Sequence, residues 1–484
     1  MGTEKLFELL YQQDLTDFER RHEEAFHNLF GSPHGRYSQA ASKTVKHRFN
    51  TQDFSSGVPF AAYIHMDSPD RGGYGGTSFV VFPSKESPAL FGFVVGTQGL
   101  SPDHEILSRP GHARNARAIC DWLQANATAP YTAWSKHDPT RTDLGLPKDV
   151  AEAWSPFAAA VEKYGNCLYA MYRANEDKAA TQTALHALLD FYFRERGQDV
   201  LNSQSKTAEP IRSAWSAHIM PRVEKEEIAD LLKTRKYVVV QGPPGCGKTH
   251  LALELMQTYY HGNGKSIQFH PSTTYETFVG GLAPESTASE LGLRFAPKPG
   301  ALMEAARAAR KNPEKNYLLH IDEINRADLA KVLGEAIFLL EAHARNPRTI
   351  SLAYHFGPDF GRELSLPPNL HILGTMNSAD RSIAIVDVAV RRRFGFVSLW
   401  PRPEVVSQLG SPVMQEAFQR LQRLFIDYAS DDALALLPGH AYFLAEDDET
   451  ARKHLKTNLQ PLLEEYLAQG YVSNFSESIR TYLQ

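Results

Sequence analysis

Eight consecutive residues, Gly242-Pro243-Pro244-Gly245-Cys246-Gly247-Lys248-Thr249, carry the first chemistry in this chain. They fill the pattern of a phosphate-binding loop, with the apolar run YVVV before it and the helical pattern HLALELM after it. Glycines let backbone N–H groups turn inward around phosphate oxygens, and the following helix presents its positive N-terminus to the anion. Lys248 is expected to reach the β- and γ-phosphates, and the Thr249 hydroxyl to ligate Mg²⁺. A glycine-rich turn that happens to precede a helix is the plain alternative, but it would not need every fixed position filled.

A second constellation follows about 75 residues on, in NYLLHIDEINRADLAKVLGEAIFLLE. An apolar strand ends in Asp322-Glu323 and a helical pattern begins. Asp322 is expected to hold Mg²⁺, directly or indirectly, and Glu323 to polarise an attacking water as a general base. A third apolar run, LHILGT, stops at Asn377, where a polar side chain can hold the lytic water or the γ-phosphate. Taken alone, an asparagine ending a strand is more often a turn residue; in series with the two preceding motifs the reading reverses. Three arginines then follow, Arg391, Arg392 and Arg393. Lys248 and the helix N-terminus already supply the chain's own phosphate clamp. The arginines are therefore expected to stabilise transition-state charge in a neighbouring subunit, with a solvated basic face as the alternative.

These side chains need a scaffold. With 484 residues, 42% hydrophobic and 22% charged, the chain has room for two to four domains with real cores. Its net charge of −5 leaves no global footprint for nucleic acid, so any DNA contact must come from a local patch. Cys120, Cys167 and Cys246 are far apart and odd in number, which fits a reducing compartment better than a disulfide framework or zinc site. No apolar run is long enough to span a bilayer and no signal segment is seen, so a cytoplasmic, membrane-free protein is expected. The first thirty or so residues have helical spacing. PFAAYIHM, TSFVVF and ALFGFVVG read as short strands, with a hairpin across PSKESPA. Helical periodicity returns near 110–125, 149–164 and 177–196, and the polar stretch 197–210 marks a domain boundary. From there helices and strands alternate to about residue 400, which argues for a parallel sheet covered by helices. After Pro403 the periodicity is only helical.

Together these residues resemble an AAA+ nucleoside triphosphatase, and more narrowly McrB, the motor subunit of the McrBC modification-dependent restriction systems. The similar segments are QGPPGCGKT, FHPSTTYETFVGGL, HIDEINRADLAKVLGEAIFLLE, GTMNSADRSIAIVDVAVRRRF and LPGHAYF, in the family's order between about 220 and 470. The Met-Asn-x-x-Asp-Arg string is the most specific of them. The resemblance implies an N-terminal α+β domain for target recognition (1–205), an AAA+ α/β nucleotide-binding domain (206–402) and a helical lid (403–484). It also implies that Asn377 is the sensor asparagine, that Asp380 and Arg381 belong to the family's signature loop, and that one or more of Arg391–Arg393 are fingers in trans. Asn325 and Arg326 would assist at the acidic strand end, and His440 would sit where the lid closes over the nucleotide. The lid lacks the arginine that many AAA+ proteins place there. The family assembles as hexameric rings, prefers GTP to ATP, and works with a McrC nuclease on DNA. Nothing in the loop itself reports the base, so GTP and ATP both stand.

The first 200 residues match no DNA-reading motif. RYSQAASKTVKHRFN gathers Arg36, Lys43, Lys46 and Arg48 with Tyr37, His47 and Phe49, the mixture of a phosphate-contacting and base-stacking surface. An ordinary solvated basic segment is the weightier reading. Asp103, His104, Glu105 and His112 are a poor fit to a metal-dependent nuclease, because no carboxylate pair followed by Glu-x-Lys accompanies them. A MoxR-like ATPase that remodels protein partners is the competing function.

Overall fold

Short aromatic and β-branched runs make the first part of the chain a sheet. In the computed structural model, which describes residues 2–31, 33–286, 293–341, 348–379 and 388–484, its strands are β1 (Val45–Asn50), β2 (Phe60–His65), β3 (Thr77–Phe82), β4 (Leu90–Val95), β5 (Ala133–Ser135) and β6 (Leu168–Arg173). They lie in the order β1-β2-β3-β4-β6-β5, and every pair is antiparallel. The β3–β4 hairpin turns across PSKESPA and pairs Phe82 with Leu90. One face packs Ile64, Val80, Phe82 and Met171 against Trp154 and Phe157. The other carries Phe79 and Phe93, and Phe93 stacks on Tyr192 of helix Lys178–Arg194. This sheet belongs to a unit comprising Met1–Pro221 and Ile426–Ser430.

Two helices differ from expectation. The N-terminal amphipathic pattern forms Glu4–Leu9 and Phe18–Asn28 instead of one helix. Between them the Asp14 carboxylate accepts from the Thr16 N–H at 2.8 Å, a local turn bond that competes with the helical ladder. The pattern at 149–164 breaks into Lys148–Ala153 and Ala158–Tyr164, around Pro156, which has no N–H to donate.

The second unit, Arg222–Phe425 with Asp431–Gln484, is built on a parallel sheet. Its strands are β7 (Tyr237–Gly242), β8 (Gly264–Gln268), β11 (Tyr317–Asp322), β14 (Leu370–Asn377) and β15 (Gly395–Ser398), in the order β15-β7-β14-β11-β8. The intervening numbers belong to two antiparallel ribbons that the sequence did not announce, β9 (Gly280–Ser286) with β10 (Leu293–Pro299) and β12 (Thr349–Ser351) with β13 (Glu363–Ser365). A sheet covered on both faces needs strands that are apolar throughout, which is why YVVV and YLLHI read as continuous runs. Val238, Val240, Leu318 and Leu373 face helices Lys225–Arg235 and Lys248–Tyr260. Val239, Leu319, Ile321 and Ile372 face the opposite layer, with helix Ala301–Lys311. Beyond Pro403 the described residues form helices and turns only. No helix among the described residues is long and apolar enough to cross a membrane.

Candidate active site

β7, β14 and β11 run side by side in parallel, so their C-terminal ends meet along one edge of the sheet. Open α/β sheets bind ligands at that edge. Asn377 is paired with Gly242, the first residue of the loop, and Asp322 closes the neighbouring strand. Register thus brings together three segments that are 55 to 135 residues apart in sequence.

The loop turns through left-handed glycines, Gly245 at φ 78° and Gly247 at φ 77°, and helix Lys248–Tyr260 starts directly after it. A side chain at either position would be strained. Lys248 is buried, and its ammonium donates to Gly242 O at 3.0 Å, Pro243 O at 2.7 Å and Asn377 Oδ1 at 2.6 Å. Burial pushes its pKa down, partly offset by Cys246 and by the Glu323 and Asp322 carboxylates nearby. Burial also pushes the Cys246 thiol up to about 12, so it is inert packing inside the loop.

Asn377 turns its other end to the acidic strand. Its Nδ2 donates to Glu323 Oε1 at 2.5 Å, and Arg326 Nε lies 3.6 Å from Glu323 Oε2. Glu323 holds a left-handed backbone, φ 53° and ψ 46°. Such a conformation costs a non-glycine residue on the order of 1–3 kcal/mol and persists where its surroundings fix it, commonly at functional sites. Here it ends the strand alternation and turns the carboxylate toward Asn377. Asn325 is buried beside them, its Nδ2 3.5 Å from Asn377 O.

Thr249 Oγ1 donates to Asp322 Oδ1 at 3.0 Å. A hydroxyl and a carboxylate therefore converge where the loop meets the acidic strand, an all-oxygen donor set that suits Mg²⁺, which takes one or two protein oxygens and fills the rest with water and phosphate. Sequence reasoning missed what stands behind Asp322: Thr375 Oγ1 donates to the same Oδ1, and buried His320 lies between Thr375 and Ser266.

The C-terminal segment docks on the loop through its backbone. Gly439 N–H donates to Pro244 O at 2.8 Å and Ala441 N–H to Gly245 O at 3.0 Å. A Cβ on Gly245 would lie 2.9 Å from the Tyr442 ring. His440 Nδ1 accepts from Arg402 N–H at 3.2 Å, and burial, aided by Arg402, lowers its pKa to about 4, so the ring is neutral at pH 7.

Arg391, Arg392 and Arg393 are elsewhere. Helix Val388–Arg391 leads into β15, whose first residue, Gly395, pairs with Val238 near the start of β7. Four residue steps, about 13 Å at ~3.3 Å each, separate Val238 from Gly242. The triplet is thus at the opposite edge of the sheet from its own phosphate loop. Arg391 and Arg392 are exposed, and the Arg391 guanidinium sits over the Phe396 ring at 5.2 Å. Asp380 and Arg381 lie outside the described residues.

In the first unit the basic segment loses two of its members. Arg36 and Tyr37 are fully buried and both bond to Asp190, so neither is available to DNA. Lys46 pairs with Asp70 at 2.6 Å, and Arg48 donates to Pro69 O and Gly72 O, bracing the glycine-rich loop. Asp103 accepts from Thr77 N–H and Arg196, while His112 bonds Glu195, so these residues do not gather around a common point.

Residues 237–394 match the AAA domain of the dynein-related subfamily. The Type IV methyl-directed restriction enzyme EcoKMcrB subunit of Escherichia coli (strain K12) is 30% identical over 353 residues, which are 66% of this chain and 75% of that protein. This chain belongs to the McrB family. Its second unit is accordingly an AAA+ nucleoside triphosphatase fold, a helix-flanked parallel sheet with a helical C-terminal part. A second relative, the component YdiS of the type II restriction enzyme BsuMI of Bacillus subtilis (strain 168), is 28% identical over 191 residues. That match takes in 33% of this McrB-family chain and spans about half, 55%, of YdiS.

Proposed function

We propose that the chain hydrolyses GTP or ATP at the Gly242–Thr249 loop and works as the motor of a restriction or anti-phage defence complex. The single observation that carries this reading is the bridge made by Asn377, which holds the phosphate-binding cation Lys248 and the carboxylate Glu323 through one amide. The γ-phosphate takes Lys248 away from Asn377 Oδ1 and the loop carbonyls and gives it a charge partner. Asn377 Nδ2 keeps Glu323 aimed, and Glu323 accepts a proton from the water that attacks phosphorus. The bond from the γ-phosphorus to the β–γ bridging oxygen breaks, and the electron pair leaves with the nucleoside diphosphate. Mg²⁺ held by Thr249 and Asp322 would neutralise charge on the β- and γ-oxygens. The lid backbone at Gly439–Ala441 and neutral His440 cover the loop from outside.

The position of Arg391–Arg393 at the far edge of the sheet favours action on a neighbour's nucleotide, hence a ring oligomer, a hexamer as in the family. Cleavage belongs to a separate McrC-like subunit. Target reading falls to residues 1–205, with 206–402 as motor and 403–484 as lid, in the cytoplasm. A cavity of about 360 Å³ in the first unit, walled by Phe60, Tyr74, Phe82 and Tyr164 with Arg48 beside them, supports DNA as the target, since aromatic faces and a guanidinium suit a flat base. A MoxR-like remodelling role is the weaker reading, because both relatives are restriction-system components by name. The test is phosphate release by the full chain with GTP and with ATP, against its Lys248→Ala variant. Turnover lost in that variant supports the reading, and no turnover of either nucleotide by the native ring sinks it.

A further inference from the structure

The face of the sheet that meets helices Lys225–Arg235 and Lys248–Tyr260 is apolar along Val238, Val240, Leu318 and Leu373. His320 interrupts it. Its position follows the two-residue alternation of β11, between Leu318 and Asp322, and no water reaches it. A buried imidazole in an apolar layer is costly unless both nitrogens are bonded. Ser266 Oγ lies 2.8 Å from Nδ1 and Thr375 Oγ1 lies 3.5 Å from Nε2. These side chains sit on three adjacent strands, and Thr375, also buried, ends the row against Asp322 Oδ1.

The directions of these bonds are fixed from one end. An ionised carboxylate only accepts, so the Thr375 hydroxyl must donate to Asp322. Its oxygen is then the acceptor for His320, which places the imidazole proton on Nε2. Nδ1 in turn accepts from the Ser266 hydroxyl. The result is a one-way row, Ser266 to His320 to Thr375 to Asp322. Thr249 donates to the same Oδ1 at 3.0 Å. Two hydroxyls on one oxygen hold the carboxylate plane, and among the described residues no side chain donates to Oδ2.

We propose that Thr375, oriented by His320 and Ser266, is a positioning residue for the metal end of the site: it fixes the Asp322 carboxylate so that one oxygen is spent on protein hydroxyls and the other faces the metal–nucleotide complex. This rests on the reading of Thr249 and Asp322 as the Mg²⁺-binding pair. Partners of this kind, one step behind a ligand, change metal affinity by about 10–100-fold when removed.

The experiment measures binding of a fluorescent GTP or ATP analogue to the full chain as Mg²⁺ is titrated, alongside binding in EDTA. Thr375→Val keeps the shape and removes the hydroxyl. It should raise the Mg²⁺ concentration at half effect roughly tenfold, with affinity in EDTA unchanged. Thr375→Ser, which restores a hydroxyl, should return the midpoint toward the native value. Ser266→Ala, at the exposed end of the row, should shift it less, in the same direction, and keeps the proposal testable if Thr375→Val does not fold. The proposal is overturned if a folded Thr375→Val titrates like the native chain. It is equally overturned if Thr375→Ser shifts as far as Thr375→Val, or if the loss appears in EDTA as well. Asp322→Asn separates the two levels: if it too leaves the Mg²⁺ midpoint unmoved, the metal-binding pair itself is misassigned.

Discussion

Asn377 Nδ2 donates to Glu323 Oε1 at 2.5 Å while Asn377 Oδ1 accepts from Lys248 at 2.6 Å, so one side-chain amide joins the two charges that the proposed hydrolysis uses. Asn377→Ala removes both bonds and leaves the phosphate loop intact. Turnover should fall by roughly 10²–10³, within the range a positioned general base contributes, with nucleotide affinity within a few-fold of native. Steady-state phosphate release and equilibrium binding on the same preparation check this, and an unchanged rate would remove Asn377 from the mechanism.

Gly245 combines a left-handed φ of 78° with a Tyr442 ring 2.9 Å from where a Cβ would stand. Gly245→Ala should lower stability by about 1–3 kcal/mol, through backbone strain and displacement of the ring. A thermal melt should show the lower midpoint, and the double variant with Tyr442→Ala should recover part of it. A melt identical to native would mean that the loop adopts another conformation in solution.

His371 and His440 are both held neutral by burial, each with its pKa lowered from 6.5 to about 4. A proton therefore binds the unfolded chain more readily than the folded one between those values, and stability must fall as pH drops through that window. Above pH 6.5 both states are neutral and the effect vanishes. His440→Gln should weaken the acid-side decline in the melting midpoint without changing its value near pH 8. An acid-side slope as steep as native would assign the dependence to other groups.

The phosphate loop and the two strand ends were legible because their residue types are chemistry first: glycines, a lysine, paired carboxylates and an asparagine, each after an apolar run. Thr375 and His320 were not. A threonine in a strand reads as a β-former, and a histidine between Leu319 and Ile321 reads as core, until the register of β8, β11 and β14 aligns them with Asp322. Arg36 and Tyr37 misled for the converse reason. Their partner Asp190 lies more than 150 residues away in sequence, so nothing local distinguishes a buried ion pair from a basic surface. The β9–β10 ribbon was hidden by proline and glycine in GGLAPES and RFAPKP, residues that argue against strands.

Arg391–Arg393 stand at the sheet edge opposite their own loop, so activity should depend on protein concentration and be shared between subunits. A Lys248→Ala chain, with its arginines intact, mixed with a chain whose three arginines are alanine, forms interfaces that carry one complete site. Activity should reappear on mixing. If mixed rings assemble and stay inactive, the arginines serve their own subunit or the fold.

The most direct test of the site is Glu323→Gln, measured for binding and for hydrolysis on one sample. The substitution keeps the size of the side chain and an oxygen for Asn377 Nδ2, but removes the base and the charge that faces Arg326. The expected result is native-like affinity for GTP or ATP with turnover reduced by at least ~10², so that nucleotide stays bound and intact. Hydrolysis at the native rate by a folded Glu323→Gln chain would contradict the assignment of Glu323, and with it the role given to Asn377.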